Sequence, residues 1–183
     1  NGKYSPMQRN GDARPAAVRA LVLYPMNALV EDQIARLRKA LDGDEIRELL
    51  DNKDILNGNR IYFGSYNGDT IAKKNHELLE NWAGNDREKR RTFDKKREEV
   101  AKELSKIHDE YERILATENK PEDALYISPR LGGKCGTTAE MVTRWDMQNW
   151  SPDIMITNTS MLSIMLMRKA ESPIFEQTKR WLA

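Results

Sequence analysis

The chain has 183 residues, 39% of them hydrophobic and 32% charged, with a net charge of +1. That length holds one domain, or one domain with an elaboration, and the balanced charge excludes a global basic field, so any polyanion contact must come from local sites. A single cysteine, Cys135, excludes an internal disulfide framework, and the lack of a signal-like or bilayer-length apolar run points to a reducing, cytoplasmic setting with no membrane partner.

Asn1 to Pro15 is hydrophilic and reads as a loop. Residues 19–24 are an apolar run that ends at Pro25, the pattern of a first strand. Residues 26–41 predict an amphipathic helix, with Val30, Ile34, Leu37 and Leu41 on one stripe. Asp42-Gly43 ends it, with Gly43 in the C-cap role. A short helix over about 44–50 and a second strand over 60–65 follow. Tyr66-Asn-Gly-Asp-Thr70 is a turn by composition.

Residues 71–118 are almost continuously charged, broken at Ala83-Gly84-Asn85. They predict two antiparallel helices with the turn at Gly84. Phe93, Val100, Leu104, Ile107, Tyr111 and Ile114 form a heptad seam. Ile71, Leu78, Leu79 and Trp82 are the expected partner face, and Pro121 ends the hairpin. Charge along it is uneven. Residues 86–97 carry seven basic against three acidic side chains, and 98–118 three basic against seven acidic. The basic end could touch phosphates, although a solvated helix face with internal pairs is the better account of it.

Beyond the hairpin, Ala124 to Ile127 suits a short strand, Leu131 to Thr138 a flexible loop, and Glu140 to Gln148 a short helix. Residues 153–157 are nearly all apolar, as a parallel strand buried on both faces would be. Ser160 is placed to cap a helix over 161–168 whose apolar character all round predicts burial, and Pro173 opens a last helix. Strands alternating with helices give an α/β fold with a parallel sheet, divided as 1–70, an inserted antiparallel helical hairpin at 71–118, and a return to the core at 119–183.

Three phrases carry a resemblance. Leu23-Tyr-Pro-Met-Asn-Ala-Leu-Val-Glu-Asp-Gln33 resembles motif Ia of superfamily 2 DEAD/DEAH-box helicases, Pro152-Asp-Ile-Met-Ile-Thr-Asn-Thr-Ser-Met-Leu162 resembles motif Ib, and Tyr66-Asn-Gly-Asp-Thr70 matches a turn that recurs between them. The wording looks most like large bacterial helicases, some of them DNA-repair or phage-defence proteins. The resemblance implies an internal piece of the first RecA-like domain, a partial parallel sheet of P-loop NTPase type. It implies backbone contacts to single-stranded or duplex nucleic acid, DNA in preference to RNA, by Pro25, Asn27, Gln33, Gly68, Thr157 and Asn158. Met26 and Asn27 stand where many relatives carry Arg or Lys and Thr. The intact protein would use ATP and Mg²⁺. This piece has no Gly-x-x-x-x-Gly-Lys-Ser/Thr and no Asp-Glu-x-His, so it would bind no cofactor, hold no catalytic residue and hydrolyse no ATP on its own. Its expected partners are the rest of the helicase core and a second copy of itself. The alternative is a non-enzymatic protein-interaction module built on the hairpin.

Several tempting patterns fail. Gly132-Gly-Lys-Cys-Gly136 lacks the hydroxyl after Lys134 and a framing strand and helix, so it is a loop rather than a phosphate cradle. Asp44-Glu45-Ile46-Arg47 and Asp109-Glu110-Tyr111-Glu112 sit in helical sequence, without the apolar strand that aims a Mg²⁺-binding acid. His76 and His108 have no partner at ligand spacing. The phrase Glu140-Met-x-x-Arg-Trp-x-Met-Gln148 has no evident chemistry, and packing is its expected role.

Overall fold

The structure, a computed structural model, describes residues 2–6, 14–25, 27–56, 59–118, 121–131 and 138–183, with no side chain described at 27, 28, 53, 56, 118, 121 and 122. It is a mixed α/β fold around a three-stranded parallel sheet. In chain order the elements are β1 (Ala20–Tyr24), α1 (Asn27–Asp42), α2 (Asp44–Asp51), α3 (Lys53–Leu56) and β2 (Phe63–Tyr66). Then come α4 (His76–Ala83), α5 (Arg87–Glu118), α6 (Pro121–Ile127), α7 (Arg144–Asn149), β3 (Ile154–Asn158), α8 (Thr159–Met167), a 3-10 turn (Lys169–Glu171) and α9 (Ser172–Leu182).

The strand order is β1-β3-β2, so the last strand inserts between the first two. In register, Leu21 faces Met155 and Gly64 faces the same Met155. Alternation along β3 divides the core into two layers. Ile154 and Ile156 join Val30 and Ile34 of α1, together with Phe63 and Ala139. Met155 points the other way, into a layer with Tyr62, Tyr66, Met141, Met147, Met161, Met165 and Ile174. The predicted α1 stripe therefore does seat on the sheet.

The two outer edges of the sheet differ. Beside β2, the Phe63 N–H donates to the Ala139 carbonyl at 3.0 Å, and the Met141 N–H donates to the Phe63 carbonyl at 2.7 Å. Residues 139–141 thus cover that edge. Gly64 permits this approach: a Cβ there would stand 2.7 Å from the Met141 carbonyl oxygen and 2.9 Å from the Met147 sulfur. Among the described residues no strand covers the outer edge of β1.

Several local expectations need correcting. Gly43 is extended (φ −66, ψ 151) and stands at the N-cap of α2, not in a left-handed C-cap. The second strand starts at Phe63, because Asp153 draws the preceding segment inward by accepting the Tyr62 N–H at 2.9 Å. Residues 124–127 are helical, in a short helix that opens at Pro121 and packs on α5 through Ala124 and Leu125. Glu140 pairs beside Phe63, and the helix begins only at Arg144, capped by the Thr143 hydroxyl. Asn158, not Ser160, caps α8. That helix buries Met161 and Met165 but leaves Leu166 and Met167 66% and 80% exposed. The loop at 132–137, with Lys134 and Cys135, lies outside the described residues.

On the charged segment, Phe93, Val100, Tyr111 and Ile114 are buried as the heptad pattern predicts. The partner face differs. α4 is eight residues against 32 for α5, and it folds back on the first turns of α5. His76 meets Phe93 edge-on at 5.1 Å and Lys89 lies over Trp82 at 5.6 Å. Leu78 and Trp82 are exposed, and Ile71 instead pairs with Thr143.

Candidate nucleic-acid interface

All three strands end at one rim, since Tyr24 pairs with Asn158 and Tyr66 with Thr157. The carboxyl edge of an open parallel sheet is where such folds place ligands. Helices α1 and α8 both start from this rim, so the N–H groups of their first turns, which no helix carbonyl takes, lie along it. Three segments far apart in sequence meet there: Pro25 leading into α1, the turn after Tyr66, and Asn158 leading into α8.

The turn is built by Asn67. Its side-chain oxygen accepts the Asp69 N–H at 2.9 Å and the Thr70 N–H at 3.1 Å. The Thr70 hydroxyl donates to the Ser65 carbonyl at 2.9 Å, which closes the loop on the strand that launched it. Gly68 is left at the tip, exposed, with nothing within 4 Å of a Cβ built on it.

The six residues singled out in the sequence distribute unevenly. Pro25 is exposed at the rim and Asn158 is half-buried there. The Asn158 side chain accepts the Met161 N–H at 2.6 Å, which fixes the start of α8. Thr157 is fully buried, and its hydroxyl donates to the Tyr66 carbonyl at 2.5 Å. Its side chain therefore braces β2 against β3. Asn27 is the first residue of α1. Gln33 lies six residues further along that helix, about 9 Å from its start at 1.5 Å per residue.

A buried polar network beneath the turn was not legible as function in the sequence. The Tyr66 hydroxyl donates to Glu171 at 2.9 Å and accepts from the Gln148 amide at 3.0 Å. Burial, and then the Glu171 carboxylate, push the Tyr66 pKa up, so the phenol keeps its proton and the direction of this chain is set. Arg144 donates to the Asn67 carbonyl at 2.5 Å, with its guanidinium 5.0 Å from the centre of the Tyr66 ring. The Trp145 indole N–H donates to the Lys74 carbonyl. Glu140 takes Arg38 of α1 in a two-point pair at 2.6 and 3.0 Å. Burial raises the Glu140 carboxyl's pKa, and the Arg38 guanidinium opposes that rise. The phrase Glu140 to Gln148 thus ties α1, the Gly68 turn and the segment after it into one body. The available signal was four polar side chains, Glu140, Arg144, Asp146 and Gln148, set among Met141, Trp145 and Met147, all of them buried.

The chain is 32% identical over 203 aligned positions to the Druantia protein DruE of Escherichia coli (strain UMEA 4076-1), an alignment that takes in 96% of this chain and 10% of that protein. The chain thus spans about a tenth of the length of this relative. No protein-family profile matches the chain, and no solved structure does. Among the described residues no helix is long and apolar enough to cross a membrane.

Proposed function

We propose that this chain is the nucleic-acid-contacting part of an ATP-dependent helicase of the superfamily 2 DEAD/DEAH-box kind. In this reading it is a section of the first RecA-like domain, of P-loop NTPase type, with residues 71–118 as an inserted helical hairpin. The observation that carries the reading is the meeting of the three resembling phrases at a single sheet rim, from positions as far apart as Tyr24, Tyr66 and Asn158. The likeness to the Druantia protein DruE, which takes in 96% of this chain, fits a section of a much longer protein.

The rim suits a phosphodiester backbone. Backbone N–H groups at the starts of α1 and α8 supply donors without reading bases. Pro25 and Asn27 would present the first, and Thr157 and Asn158 the second, with Thr157 acting through the brace it gives the Tyr66 turn. Gly68 leaves room for a strand to pass. Gln33 would contribute from the flank of α1. ATP and Mg²⁺ belong to the proposed intact protein, whose phosphate cradle, Mg²⁺-binding acid and arginine finger would come from elsewhere in its chain.

The test is binding of a fluorescent dT15 strand to the pure chain, with ATP turnover measured alongside. Expected are weak, salt-sensitive binding and no turnover above background. Gly68→Asp introduces a negative charge into open space, so folding should be unaffected while affinity drops several-fold. Binding by Gly68→Asp equal to that of the natural chain would remove the rim from the interface.

A further inference from the structure

A cleft of about 470 Å³ opens directly beside the Gly68 turn, between the segment 69–74 and the stretch 96–103 of α5. Its walls carry three lysines, Lys73, Lys74 and Lys96, and three carboxylates, Asp69, Glu99 and Glu103. Lys74 and Lys96 line the same cleft, and burial followed by Lys74 depresses the Lys96 pKa against the opposing pull of Glu99.

The backbone beneath them is fixed. The Trp145 indole, in a residue only 2% exposed, holds the Lys74 carbonyl. The Arg144 N–H donates to the Ile71 carbonyl at 3.0 Å. Between these two anchors Ala72 sits at φ 63, the one non-glycine residue with positive φ among those described. Such a conformation costs free energy and persists only where its surroundings impose it. Lys74 therefore leaves a fixed backbone on the wall of the cleft that Lys96 also lines, and an anion between the two would relieve their repulsion.

We propose that Lys74 and Lys96, with Lys73 at the cleft mouth, bind a phosphate of the DNA strand that crosses the Gly68 turn. The inference rests on the rim reading above and extends its path off the sheet, onto residues outside the resembling phrases. The three carboxylates give the cleft a built-in competitor. They hold its affinity for any phosphate low, so the cleft fills when a strand already held at the rim raises the local phosphate concentration.

The test measures dT15 affinity across a salt series for the full chain, its Lys74→Gln/Lys96→Gln variant and its Glu103→Gln variant. All three residues lie at the surface of the cleft, and unchanged melting temperatures verify that the variants fold. Loss of the one phosphate contact that the two lysines share should lower the slope of log affinity against log salt by about 0.7, the value per phosphate on a single strand. Glu103→Gln should bind more tightly than the natural chain, which loss of a merely structural residue would not produce. Reductive methylation read by mass spectrometry gives a readout independent of affinity, with Lys74 and Lys96 protected by dT15. An unchanged slope, or equal methylation with and without dT15, overturns the site. If Gly68→Asp binds normally while the lysine variant does not, the rim reading fails and the cleft stands. The reverse pattern sinks the cleft alone, and absence of any binding by the natural chain sinks both.

Discussion

Gly64 shows how one atom governs the covered edge of the sheet. The position is extended and lies in mid-strand, where glycine usually weakens a sheet. Here its bare Cα lets residues 139–141 reach β2, since any Cβ would fall 2.7 Å from the Met141 carbonyl oxygen. A backbone oxygen cannot swing away as a flexible side chain does. Gly64→Ala should therefore cost about 2 kcal/mol, the range of core overpacking, and should loosen the 139–148 segment that carries Arg144 and Gln148. Urea unfolding gives the stability, and amide exchange at Met141 gives the local effect. A stable variant with unchanged exchange would show that the strand shifts to accommodate the methyl.

At the scale of elements, the strands and the amphipathic α1 were legible because their patterns report burial directly. Ile154, Met155 and Ile156 set apolar side chains on both faces of β3, which lies in the middle of the sheet. What the pattern could not reveal was decided by long-range partners. Residues 124–127 have strand-like composition but fold as a helix, since α5 offers them Tyr111 and Ile114 to pack on. α8 reads as buried all round, yet the sheet covers only the Met161 and Met165 side. Within the candidate site, the rim residues could be placed from motif order. The network under them could not, because Glu140 finds Arg38 across 102 positions and Gln148 finds Tyr66 across 82. The turn between α4 and α5 was legible at Gly84, whose φ 46 and ψ −130 form a conformation almost confined to glycine. Gly84→Ala should cost about 1–3 kcal/mol and weaken the seating of α4 on α5. Thermal unfolding with Trp fluorescence checks this, since Trp82 lies two residues before the turn. No change in melting temperature would mean that the turn relaxes freely.

The whole molecule is asymmetric in what it leaves open. β1 is a continuous apolar strand whose composition suits burial on both faces, yet it forms the edge of the described sheet. Leu21 and Leu23 are 45% and 43% exposed, and Leu166, Met167 and Leu182 add more uncovered apolar surface. A free, flat, apolar edge offers unpaired N–H and carbonyl groups in register for another strand. In the proposed intact helicase, neighbouring strands of the same RecA-like domain would occupy that edge. In the isolated chain a second copy is the available partner, so the chain should self-associate reversibly. Sedimentation velocity over a concentration series should show a rising mean size. Leu23→Lys puts a charge on the exposed edge, the device natural sheets use to block edge pairing, and should shift the chain toward monomer with little loss of melting temperature. Leu166→Lys, on α8, should have a smaller effect if edge pairing is the route. A natural chain that stays monomeric at its highest soluble concentration would mean that the edge is closed by residues outside those described. Equal rescue by the two lysine variants would assign association to the apolar surface as a whole rather than to the strand edge.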